Sequence, residues 1–80
     1  MIVMSIENDL EWTVFANNIA YLRKANGLSK RNMASLLGIG IESLTKIEKG
    51  ICPERLSAGI IFEVYRIFGI SPSDQFSKKL

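Results

Sequence analysis

The sequence of 80 residues predicts an all-α fold, a compact five-helix bundle. Three observations lead there. Apolar residues recur at helical spacing, glycine and proline punctuate the segments between them, and two short amphipathic periods meet at Gly38.

A first helix is expected from about Asn8 to Asn26. Asn8 with Glu11 three residues later resembles a capping box, Gly27 ends the segment, and Trp12, Phe15, Ile19 and Leu22 form the buried stripe. Trp12 is read as core packing rather than a ligand clamp. A second helix is expected over about 30–37. Ser29 caps it, Leu28, Met33, Leu36 and Leu37 supply its apolar stripe, and Gly38 takes the positive φ that ends it. Met33 fills a core gap. The third, about 41–49, turns Leu44 and Ile47 inward, and Gly50 closes it. The small Ala34 sits where the two short helices cross. Residues 51–56 form a loop in which Cys52 is a small semi-apolar residue. Ser57 caps a fourth helix that ends at Phe68 before Gly69, and Ser71 with Pro72 starts a short fifth.

Composition narrows the function. The chain has one cysteine and no histidine, which excludes an intrachain disulfide and leaves no zinc or Cys-His catalytic set. No cofactor is expected. Neither a signal segment nor a membrane-length apolar run is visible, so a soluble, cytoplasmic setting is expected. No nucleophile-base pair or phosphate-cradling glycine loop stands out, and the glycines at 38 and 40 belong to a helix corner, so neither an enzyme nor a small-molecule substrate is expected. Net charge is only +2, but it is unevenly spread. The first 22 residues carry Glu7, Asp9 and Glu11 and no base. Arg23, Lys24, Lys30, Arg31, Lys46, Lys49 and Arg55 all fall between 23 and 55, around the corner.

The corner resembles the helix-turn-helix of the phage-repressor (Cro-like, XRE) family. The residues that carry the resemblance are Arg23, Gly27, Leu28, Ser29, Met33, Ala34, Leu37, Gly38, Leu44, Ile47, Glu48 and Gly50, and it extends over about residues 14 to 76. It implies a lambda-repressor-like DNA-binding fold: a single domain over 1–80, with an N-terminal extension at 1–8 and the helix-turn-helix at 29–49. The third helix would lie in the major groove of double-stranded operator DNA. Helical geometry turns Ile41, Glu42, Thr45 and Lys46 away from Leu44 and Ile47, which makes them the base-reading candidates. Ile41 would pack on a thymine methyl, Glu42 accept from cytosine N4 and Lys46 donate to guanine, each good pair contributing about 1–3 kcal/mol of discrimination. Lys30, Arg31, Ser43 and Lys49 are placed for phosphate, Lys30 standing where the family usually has Gln. Arg23 and Glu48 match a structural ion pair of the family. Gly40 stands where the family favours a Ser or Thr cap, and Glu42 brings a negative charge towards DNA.

The fourth helix is apolar nearly all round. Ile61, Val64, Tyr65 and Phe68 suffice for its core stripe, which leaves Ile60, Phe62 and Ile67 to be covered by something else. Either the N-terminal Ile2, Val3 and Ile6 cover them, or a second subunit does, and a homodimer is the preferred reading. The function expected is a sequence-specific DNA-binding transcriptional regulator, acting as a repressor. The alternative on the same fold is a protein-interaction module, antitoxin-like or a repressor antagonist, that does not bind DNA.

Overall fold

A computed structural model describes the backbone at residues 2–51 and 58–80 and the side chains at 12–51 and 59–80. Five helices follow in order among them: α1 (Ile2–Ala25), α2 (Lys30–Leu37), α3 (Ile41–Glu48), α4 (Ala58–Phe68) and α5 (Pro72–Ser77). α1 packs against α3 and α5, α2 against α3 and α4, and α4 against α5. The core between them is built from Phe15, Ile19, Met33, Leu44, Ile47 and Val64, each at most 1% exposed. Burying an apolar side chain of this size contributes about 1.5–3 kcal/mol, so the short helices are held by packing rather than by their own propensity.

Two of the expected caps form as hydrogen bonds. Ser29 Oγ accepts from the Asn32 amide at 3.1 Å, and Ser71 Oγ accepts from the Asp74 amide at 3.3 Å, with Pro72 in the first turn of α5. Each satisfies a donor that the start of a helix leaves without a partner. Gly38 ends α2 at φ 70°, a left-handed conformation that a side chain would strain. That geometry lets the Gly38 and Ile39 amides return to the carbonyls of Ser35 and Ala34.

The structure corrects several expectations. α1 begins at Ile2 rather than near Asn8, so the expected extension at 1–8 runs into the first helix. No glycine or proline interrupts residues 2–8, and once a helix is nucleated each further residue adds a hydrogen bond at little cost. The Asn8 and Glu11 side chains, and those of Ile2, Val3 and Ile6, lie outside the described residues. So do Cys52 and the Ser57 cap. Leu36 is 41% exposed and drops out of the α2 stripe, which runs through Met33, Ala34 and Leu37.

α4 is rotated from its expected orientation. Ile60, expected on the uncovered side, is 4% exposed and part of the chain's own core, whereas Tyr65, expected in the core, is 48% exposed. An all-round apolar helix offers more than one stripe, and its neighbours choose among them. The stripe chosen is Ile60, Val64 and Phe68, with Ile61 beside it. Of the three residues expected to meet a partner, Phe62 is open to solvent, Ile67 is half-buried and Ile60 is inside.

Two buried amides escaped sequence reasoning. Asn18 on α1 donates from Nδ2 to the Gln75 and Lys78 carbonyls at 2.9 and 2.8 Å, and its Oδ1 accepts from the Leu80 amide at 3.1 Å. Gln75 donates from Nε2 to the Ile61 and Ile70 carbonyls at 3.0 and 2.9 Å. Together they tie the end of the chain to α1 and α5 to α4. Phe76 of α5 stacks on Phe15 of α1 with ring centroids 4.5 Å apart, and Trp12 leans on the same ring at 5.2 Å.

Candidate nucleic-acid interface

α3 is oriented by two residues. Leu44 and Ile47 are fully buried, and a helix turns roughly 100° per residue. Glu42 and Lys49 therefore stand opposite the core, with Ile41 and Thr45 on one flank and Ser43 and Lys46 on the other. Burial agrees. Glu42, Lys46, Lys49 and Ile41 are exposed, while Thr45 and Ser43 are half-buried at the flanks. The four residues expected to read bases thus share the outward side of one helix.

Gly40 precedes α3 in extended conformation and offers no side-chain cap, so no side chain satisfies the first amides of α3, and the ladder begins with the Leu44 amide donating to the Gly40 carbonyl. At the other end Gly50, at φ 81°, lets the Gly50 and Ile51 amides reach the carbonyls of Ile47 and Lys46. Lys49, between the helix and this turn, keeps helical φ and ψ and stays aligned with Glu42. Lys30 and Arg31 lie exposed in the first turn of α2. Among the described residues, Lys30, Arg31, Lys46 and Lys49 form no ion pair, so their charge is free to meet an anion.

Arg23 and Glu48 form the clamp beneath this surface. Arg23 Nε donates to Glu48 Oε2 at 2.7 Å and Nη2 donates to Oε1 at 3.1 Å, a two-point pairing of guanidinium and carboxylate. The side chains are 15% and 9% exposed. Arg23 Nη1 also donates to the Leu28 carbonyl at 3.3 Å. The hydrogen bond to Glu48 raises the Arg23 guanidinium above its ordinary pKa; partial burial opposes the shift and the Glu48 charge adds to it. The pair joins the end of α1 to the last residue of α3 and so sets the angle at which the outward side is presented.

Away from this surface, an open hollow of about 250 Å³ lies between α1 and the chain's end, lined by Val14, Asn17, Asn18, Tyr21, Lys79 and Leu80. Among the described residues no helix is long and apolar enough to cross a membrane, and no group of three acidic or cysteine side chains gathers as a metal site would require.

Two short helices crossing at a glycine corner, the second with its polar side turned out, define a helix-turn-helix domain. The family model described as helix-turn-helix matches residues 19–75, more than half of the chain, and the protein belongs to that family in its Cro-like, XRE form. The family is one of DNA-binding regulators and is not typically enzymatic. No curated protein and no solved structure matches the chain.

Proposed function

We propose that the protein is a sequence-specific transcriptional repressor that seats α3 in the major groove of an operator and acts by occupying it. The supporting observation is the outward side of α3, held in place by Leu44 and Ile47 and flanked by the unpaired cations of α2 and α3. Ile41, Glu42, Thr45 and Lys46 face the base edges, while Lys30, Arg31, Ser43 and Lys49 meet phosphates on either side of the groove. A random duplex pool incubated with the protein and sequenced after capture is expected to yield an enriched site. A pool retained without enrichment would leave only non-specific binding, and no retention at all would favour the protein-interaction reading of the fold.

Phosphate contact has its own signature. Neutralising phosphates releases counterions, so affinity falls steeply with salt. Three cations per protomer, used twice in a dimer, predict a loss on the order of 1,000-fold between about 50 and 200 mM salt. Replacing Lys30 and Arg31 by alanine should flatten the slope by about two units per protomer, with sequence preference retained. An affinity that ignores salt would remove these contacts.

We further propose that the operator is bound by a homodimer joined through α4. Phe62 at 68% and Tyr65 at 48% exposure are large groups one turn apart on one outward side of α4, while the half-buried Ile67 falls on the other flank. Two-fold pairing would set two α3 helices on half-sites about 34 Å apart. Light scattering at micromolar concentration is expected to show twice the 9.0 kDa chain mass, reduced to one chain mass by Phe62→Glu. A 9.0 kDa species alone would discard the dimer.

A further inference from the structure

The residue at the apex of the outward side of α3 is an acid. Glu42 stands opposite Leu44 and Ile47, in the first turn of the helix, where side chains reach deepest towards base edges in the docking proposed above. Lys46 lies four residues on, a spacing that favours a Glu–Lys pair on a helix surface. No such pair forms, and among the described residues Glu42 has no cationic partner. Its carboxylate would enter the groove with its charge uncompensated by the protein.

A carboxylate can only accept hydrogen bonds. In the major groove, guanine presents N7 and O6 and thymine presents O4, all acceptors, so Glu42 would face like polarity there. Adenine offers its N6 amine but sets N7 beside it. Cytosine sets its N4 amine between its own C5–H and the O6 of the paired guanine, one neighbouring acceptor where the adenine amine has two, and is the base whose edge best suits a lone carboxylate. The same charge repels phosphate and disfavours every register in which that amine is missing. Selectivity then comes from a penalty on wrong sequences as much as from a contact with the right one.

We propose that Glu42 is the specificity-determining residue of this protein, selecting cytosine at one position of each half-site and lowering the affinity for all other duplexes. The inference rests on the major-groove reading above. Cytosine should be preferred there by roughly 5- to 150-fold, the range of a good side-chain–base pair. The test is capture and sequencing of a random duplex pool with the wild-type protein, Glu42→Gln and Glu42→Ala, each checked by circular dichroism for an unchanged melt. Glutamine pairs with adenine through N6 and N7, so Glu42→Gln should replace cytosine by adenine at that position and leave the others unaltered. Glu42→Ala should lose preference at that position and bind non-cognate duplex more tightly than wild type. If wild type enriches a site and both variants enrich it unchanged, the role of Glu42 is overturned while the regulator reading stands. If wild type enriches nothing, the docking itself fails, and this inference with it.

Discussion

Replacing Arg23 by alanine is expected to destabilise the domain by about 3 kcal/mol, the lower end of what breaking a buried ion pair costs. Glu48, 9% exposed, would keep its charge in a site that no longer answers it. Arg23 itself is 15% exposed, and water entering from that side limits the loss. In a domain of this size that corresponds to a fall in Tm of roughly 12–24 °C. Arg23→Lys should recover only part of it, because an ammonium cannot reproduce the two-point pairing. The double variant with Glu48→Ala should be less destabilised than the sum of the two single changes, since the carboxylate left stranded by one is removed by the other. An unchanged melt for Arg23→Ala would eliminate the clamp as a support of α3.

Asn18→Leu is expected to cost about 2–4 kcal/mol, although leucine has the same number of side-chain heavy atoms and the same branching as asparagine. The change strands two carbonyls, those of Gln75 and Lys78, and the Leu80 amide, and each buried polar group left without a partner costs about 1–3 kcal/mol. The chain's end can regain part of this by turning to water. Thermal melting reads the loss, and amide exchange at Leu80 should accelerate in step. A variant as stable as wild type, with Leu80 still protected, would show that the Phe15–Phe76 stack and the Gln75 bonds hold α5 without Asn18.

The parts of the fold legible in the sequence are those made by near neighbours. Ser29 and Ser71 cap amides three residues away, and the turns at Gly38 and Gly50 close on carbonyls three and five residues back. The outward side of α3 was legible for a similar reason: Leu44 and Ile47, three residues apart within an eight-residue helix, turn together to the core. Asn18 and Gln75 carried no such signal. Polar residues on an amphipathic helix look alike whether they end in water or in a buried contact, and the partners of Asn18 lie 57 to 62 residues along the chain. The outward position of Glu42 was legible with the rest of that side, but its unpaired charge needed the packed structure.

By itself, then, the order of residues determined five segments with helical tendency, the glycine corner between α2 and α3, the family, and the two residues that turn α3. Those follow from steric preferences and hydrogen bonds that span one or two turns. Tertiary structure alone decided which stripe of α4 enters the core, leaving Phe62 and Tyr65 outside and Ile60 within. It also decided that α1 and α5 are joined through Asn18, and that Arg23 meets Glu48 at the angle which presents α3. A helix can spin about its own axis at no cost to its internal hydrogen bonds, so its rotation is chosen only when neighbouring surfaces close over it.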